Sequence, residues 1–427
     1  MIELDRVYAK CAWRLIPFMV VLYVVNFLDR VNVGFAALTM NKALGFSPAI
    51  YGFGAGLFFV GYFLCQVPAN LILRKLGARR WIFCILLVWG VISVANALTR
   101  GPASFYGLRF LLGVAEAGFF PGMIFYLTLW FPRGYRARFT AGFMTAVPLA
   151  NIIGAPVSGL ILGLGGAGQL EGWQWLFVLE GLPACVLAFA VLKFLPDGPS
   201  GASWLNLAEK ATIEARLASE NSKTHHDFAR ALRDPRVLAL CPDGLGLSFG
   251  NYGVGLWLPQ IVQGMGFSNL ATGFVVAGPS VAGMAAMILW GRSSDRHGER
   301  VRHVAAAALL AAGSLLVASL GPSNLVILIA LTFATIGIYA ALPTFYSVPS
   351  MFLSGTAAAG GIALVNTFGT GLGGFLGPTV VGLLKQQTGG YPAGMAALAL
   401  GLTVSATILL IMGRGQKPVT AAARSLP

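Results

Sequence analysis

Apolar positions in this chain come in long blocks instead of alternating with polar ones. Twelve blocks, at roughly 14–37, 50–72, 80–99, 103–130, 139–163, 173–195, 236–262, 270–291, 303–321, 323–349, 356–384 and 392–413, are long enough to cross a bilayer core of about 30 Å as helices. None keeps the strict period of two that a barrel strand needs, so helices are predicted throughout. The longest polar stretch, residues 196–235, separates the sixth block from the seventh. Pro196, Gly198 and Pro199 stop the sixth helix there, and "NLAEKATIEARLASE" has the pattern of an amphipathic surface helix. The chain reads as an N-terminal six-helix half over 1–195, a cytoplasmic linker over 196–235 and a C-terminal six-helix half over 236–427.

Composition agrees. Hydrophobic residues make up 57% of the 427 positions and charged residues only 10%, against roughly 25% charged in a soluble domain. The 55 glycines suit close packing of membrane helices. The first block is too long for a signal-peptide core and reads as a retained helix. Five cysteines, Cys11, Cys65, Cys84, Cys185 and Cys241, lie in or beside apolar blocks without a C-x-x-C and read as buried free thiols. His225, His226, His297 and His303 show no metal-ligand spacing, so no metal site is expected. An enzyme is not expected either, because no nucleophile–base pair, metal motif or nucleotide loop appears. "GVAEAGFFPG" is glycine-rich but follows no strand.

The net charge of +14 follows a topological pattern. With the N-terminus in the cytoplasm, 24 of the 29 Lys and Arg residues fall in cytoplasmic segments: Arg6, Lys10, Arg14, Arg74, Lys75, Arg79, Arg80, Arg133, Arg136, Arg138, Lys193, Lys210, Arg216, Lys223, Arg230, Arg233, Arg236, Arg292, Arg296, Arg300, Arg302, Arg414, Lys417 and Arg424. Outer loops hold Lys42, Arg100 and Lys385. This is the positive-inside distribution for a multi-pass protein of the inner membrane with both termini cytoplasmic. It explains the basicity without nucleic acid as a partner; the bilayer is the partner that composition demands.

Charges inside the blocks are the candidate chemistry. Asp29 and Arg30 adjoin in "NFLDRVNVGF", and Arg109 precedes Glu116 by seven residues in "LRFLLGVAEAGFFPG". Two helical turns place Arg109 and Glu116 on one face. Depth along the helices puts Asp29, Arg30 and Arg109 at one level, with Glu116 near the midplane. Asn26, Asp29, Arg30 and Asn32 form a polar stripe on the first helix. Asp29 and Arg30 lie about 100° apart around it, so one can face a cavity while the other faces a neighbouring helix. Intramembrane ionisable groups mark transport pathways. Arginines select an anion, with a guanidinium suited to a carboxylate, and buried carboxylates can take up protons near neutral pH. Glu180 reads as a structural partner, and Asp243 as a solvated or capping group near a span end. Weaker cavity candidates are Asn151, Asn251, Tyr252, Gln260 and Gln263, and Pro259 is a potential bend.

The halves also echo each other. "GRSSDRHGER" after the eighth block fits G-x-x-x-D-R-x-G-x-R through Gly291, Asp295, Arg296, Gly298 and Arg300. "NLILRKLGARR" after the second keeps Lys75, Gly77 and Arg79, with Arg74 in place of the usual acid. Like loops on the same side mean parallel repeats. On these motifs the chain resembles the major facilitator superfamily. The resemblance implies an all-α fold of twelve transmembrane helices in two six-helix halves with a central cavity between them, and a cytoplasmic latch formed by the loop motif. "LYVVNFLDRVNVGF", "LRFLLGVAEAGFFPGMIFYLTLWFP", "WQWLFVLEGLPA", "FLPDGP" and "LSGTAAAGGIALVNTFG" further resemble the anion:cation symporter family, in its bacterial tartrate, aldonate and organic-acid branch. What this implies is a proton-coupled symporter without a cofactor beyond the co-transported proton, acting as a monomer on a small organic anion such as tartrate, an aldonate or another hydroxy-carboxylate. It assigns protons to Asp29 and Glu116 and the substrate carboxylate to Arg30, with Arg109, Tyr62 and Asn366 beside it. An aromatic-acid symporter is the alternative; a non-transporting anion sensor and an efflux antiporter are less favoured readings. If both termini are cytoplasmic, a green fluorescent protein fused after Pro427 fluoresces and an alkaline phosphatase fused there is inactive; the reverse pattern would refute the orientation.

Overall fold

The computed structural model describes residues 2–132, 135, 145–221, 234–351, 361 and 364–413. Arg133, Arg136, Arg138, Lys223, His225, His226, Arg230, Arg233, Arg414, Lys417, Arg424, the Arg74 side chain and the starts of the spans expected at 139 and 356 lie outside the described residues.

Among the described residues every regular element is helical. The helices are α1 (Ile2–Ala43), α2 (Pro48–Leu76), α3 (Ala78–Ala95), α4 (Pro102–Glu116), α5 (Phe119–Thr128), α6 (Ala146–Ile161), α7 (Gly172–Phe194), α8 (Leu207–Asn221), α9 (Pro235–Gln263), α10 (Asn269–His297), α11 (Val301–Leu320), α12 (Asn324–Ser347), α13 (Gly374–Thr388) and α14 (Pro392–Gly413). A π-helical turn, Gly369–Gly373, leads into α13. Among the described residues, eleven helices are long and apolar enough to span a membrane, α4 and α5 counting together as Pro102–Thr128. The twelfth expected span, 236–262, is the 29-residue helix α9, whose Asp243, Asn251, Gln260 and glycines dilute its apolar run. It continues unbroken through both Pro242 and Pro259. α8 is the amphipathic helix expected in the polar stretch.

The chain divides into two compact units, Met1–Gly45 with Val60–His225, and Phe46–Phe59 with His226–Pro427. In the first, α3 packs along α7, and α1 lies against α6 and α7. α8 is tied to α1 by Lys10, whose Nζ donates to Glu209 Oε1 and Oε2 at 3.0 and 2.9 Å. The backbone N–H of Asn206 and the Lys10 ammonium hold the Glu209 carboxyl below the usual glutamate range. In the second, α11 packs on α12 and α14, and α9 runs against α13 and α14. The Tyr51 hydroxyl donates to the Leu256 carbonyl at 2.9 Å, which joins the first turn of α2 to α9.

Small residues set the closest approaches. A Cβ on Gly61 would stand 2.3 Å from the carbonyl oxygen of Phe110, so α2 and α4 meet backbone to backbone. Gly107, on the same helix as Phe110, has open space where its Cβ would be. Gly61→Val is therefore expected to cost roughly 1–3 kcal/mol by overpacking, and Gly107→Ala to cost nothing measurable. Thermal unfolding in detergent checks this; equal melting temperatures for the two variants would contradict the packing.

Candidate functional site

α1 turns its polar residues to two different neighbours. Asn26 and Arg30 are one turn apart and share a face; Asp29 and Asn32 share another about 100° round the helix. The polar stripe thus divides between two neighbours, as the angle between Asp29 and Arg30 requires.

The first face meets the end of α4. Glu116 Oε2 accepts from Asn26 Nδ2 at 2.9 Å and from Arg30 Nη2 at 3.0 Å. The Arg30 side chain is 6% exposed and that of Glu116 is 0% exposed, so this ion pair is closed from solvent. The guanidinium carbon lies 5.1 Å from the centre of the Tyr62 ring and 5.9 Å from that of Phe27. Aromatic faces stabilise a desolvated cation there. Glu116 is the last residue of α4, where helix-dipole alignment opposes a negative charge. Arg30 and Asn26 offset that. The helix stops at once: Ala117 and Gly118 interrupt it before α5, and the Gly118 carbonyl accepts from Trp81 Nε1 at 3.1 Å. Arg109, two turns earlier on α4, is fully buried, and its charge acts on both Glu116 and Asp29.

The second face meets α3 and α7. Asp29 Oδ1 accepts from Ser93 Oγ at 2.6 Å and from Asn32 Nδ2 at 3.1 Å, while Oδ2 accepts from Trp89 Nε1. The Asn32 side chain also acts on the Glu180 carboxyl, whose Oε1 accepts from Ser158 Oγ at 2.7 Å. Trp89 is held by the Phe119 ring, with centroids 5.5 Å apart. The structure therefore brings Asp29, Arg30, Tyr62, Arg109 and Glu116 into one buried cluster of the first unit, with Arg30 turned to Glu116 and Asp29 turned away to α3. Trp89 and Ser93 were not read from the sequence as site residues. Their signal is a polar i, i+4 pair in an apolar span. Glu180, expected as a structural partner, is buried and accepts from Ser158 of α6.

Other expected residues lie elsewhere. Asn151, half-buried on α6, donates from Nδ2 to the Val147 carbonyl at 3.1 Å, within its own helix. In the second unit, Asn366 Oδ1 accepts from the Tyr346 hydroxyl and from Thr370 Oγ1, each at 3.0 Å. Tyr252 is buried with its ring 4.3 Å from that of Phe59, and its neighbour Asn251 is half-buried. In the loop motif, Asp295 pairs with Arg300 at 2.7 Å. Gly298 ends α10 at φ 64°, a left-handed cap that favours glycine. Gly291 and Arg296 lie on the last turns of α10. Asp243, expected near a span end as a solvated or capping group, is instead fully buried. The helix it sits on begins two turns earlier, at Pro235.

An all-helical membrane fold with a buried arginine–carboxylate cluster is the build of a solute transporter, not of an enzyme. The chain belongs to the Major Facilitator Superfamily, which matches it over residues 19–378. It is 48% identical over 412 residues to a protein of Agrobacterium vitis named "Putative tartrate transporter", covering 96% of this chain and 95% of that one. It is 42% identical over 393 residues to the quinolone resistance transporter of Acinetobacter baumannii, covering 91% and 90% of the two chains. Its fold is similar to that of a bacterial homolog of the human lysosomal transporter Spinster, solved inward-facing and occupied, with a TM-score of 0.77, 18% identity and coverage of 94% and 97%.

Truncating one partner of a buried pair strands the other charge. Glu116→Ala is expected to cost about 3–5 kcal/mol, and the double variant Arg30→Met with Glu116→Gln much less. Melting temperatures in detergent check this; equal losses would show that the pair is not a unit.

Proposed function

We propose that this chain imports a small organic anion of the hydroxy-carboxylate class together with protons, by alternating access, across the inner membrane with both termini in the cytoplasm. The contact between Arg30 and Glu116 carries the reading. A buried guanidinium whose hydrogen-bonded counter-charge is a carboxylate can exchange that partner for another carboxylate. A proton on Glu116 removes its negative charge and leaves Arg30 to a substrate carboxylate; substrate release lets Glu116 ionise and pair again. Neither charge then crosses hydrocarbon uncompensated, which is the state that costs most. Arg109, whose field reaches both acids, is the second cationic group for a dianion. Asp29 is the second proton carrier in this reading, shielded from Arg30 by its own donors on α3. The relatives named for tartrate transport support the substrate class.

The relative named for quinolone resistance favours one other reading, export of a drug, in which the same cluster serves a different solute. Purified chain in proteoliposomes separates the two. Under an inward proton gradient, labelled tartrate or an aldonate is expected to accumulate. Glu116→Gln is expected to abolish accumulation while leaving substrate exchange, and Arg30→Lys to weaken uptake at least tenfold, because an ammonium cannot hold a carboxylate bidentately. Transport of a quinolone with no response to any carboxylate would overturn the anion reading. Undiminished gradient-driven uptake in Glu116→Gln would overturn the coupling.

A further inference from the structure

α9 buries a carboxyl group in the second unit that the Arg30–Glu116 cluster does not use. Asp243 is fully buried, eight residues and about 12 Å into the helix. Across the seam, on α14, Ser405 Oγ hydrogen-bonds Asp243 Oδ1 and stands 3.1 Å from the main-chain oxygen of Asp243. Glycine draws the seam tight: a Cβ on Gly246 would lie 2.7 Å from Ser405 Cβ. From another side the π-helical turn presses on α9, where a Cβ on Gly369 would lie 2.9 Å from the Gly244 backbone. π-Turns inside membrane helices recur at functional sites.

Donor counting decides the protonation state. Ser405 has one hydroxyl proton and faces two acceptors on Asp243. Asp243 Oδ2 is buried with no hydrogen-bond partner among the described residues. Among the described residues an ionised Asp243 would have one side-chain donor, already contested by the main-chain oxygen. A protonated Asp243 resolves every contact: its O–H donates to Ser405 Oγ, and the Ser405 O–H donates to the main-chain oxygen. The unpartnered Oδ2 then belongs to a neutral carbonyl, far cheaper to bury than an anion.

Among the described residues, no counter-charge changes this count. Among the elements packed on α9, α12, α14 and the π-turn contain no Asp, Glu, Lys or Arg; α12 contributes only the titratable Tyr339 and Tyr346. The charged and titratable groups of α10 are Arg292, Asp295, Arg296 and His297, in its last two turns. Lys385 of α13 lies over the Tyr391 ring at 4.1 Å and the Trp257 ring at 5.2 Å. On α9 itself, Arg236 pairs with Asp234 at 2.9 Å, and Cys241 and Tyr252 are the other titratable groups. Tyr51, from α2, is committed to the Leu256 carbonyl. Among the described residues, Ser405 is the side chain that acts on Asp243.

We propose that Asp243 is a proton-binding site of the second unit: it holds a proton in this conformation, clasps α9 to α14 through Ser405, and releases that clasp when the proton leaves. This inference does not rest on the anion reading. Infrared difference spectroscopy of the purified chain at neutral pH tests it without transport. Wild type minus Asp243→Asn is expected to show the C=O band of a protonated carboxylic acid, and Ser405→Ala to shift that band by removing its hydrogen-bond partner. No such band in the first difference, or no shift in the second, overturns the proposal. Should Asp243→Asn fail to fold, Ser405→Ala against wild type carries the test with the same two outcomes. For the clasp, amide exchange of α9 and α14, corrected for the intrinsic rate, is expected to rise from neutral to alkaline pH in wild type and to stay flat in Asp243→Asn. Parallel behaviour of the two overturns the clasp.

Discussion

A guanidinium and a carboxylate closed off from water need each other. Arg30 and Glu116 meet this need at 3.0 Å, and much of the first unit is arranged so that they can. Asn26, one turn before Arg30, supplies the second donor to the same oxygen. Tyr62 and Phe27 supply aromatic faces for the cation. α4 ends where Glu116 sits, and Gly61 lets α2 approach α4 closely. An isolated charge in a membrane core is strongly unfavourable, whereas a pair that can exchange one carboxylate for another costs little at any stage of a cycle. Packing and proposed function draw on the same constraint.

Asp29 answers to a different constraint. Three donors surround its carboxyl, from Trp89, Ser93 and Asn32, none of them charged. Asn32 also acts on Glu180, whose carboxyl accepts from Ser158. Adjacent residues on α1 thus belong to separate environments: an ion pair facing α4 and a neutral hydrogen-bonded shell facing α3 and α7.

Much of this was legible in the sequence. Long apolar blocks gave the helices, because hydrocarbon leaves a spanning backbone few alternatives. The seven-residue spacing of Arg109 and Glu116 placed them on one face, and the cost of burying charge singled out Asp29 and Arg30. Which of those two meets Glu116 was not legible, since the sequence fixes the angle between neighbours but not the rotation of α1 against α3 and α4. Trp89 and Ser93 escaped notice because tryptophan and serine are ordinary in membrane helices and become site residues only through what they touch. Asp243 was misread because eight residues from a helix start looks shallow; the glycine-lined seam with α14 that buries it is a tertiary fact.

In the proposed cycle an incoming anion takes the place of Glu116 on Arg30, and Glu116 takes up a proton as it does so. Calorimetric titration of the purified chain with tartrate, in two buffers of different ionisation enthalpy, reads the protons taken up on binding. Net proton uptake with the anion is expected in wild type, and its loss in Glu116→Gln. Anion binding with no net proton uptake in wild type would contradict it.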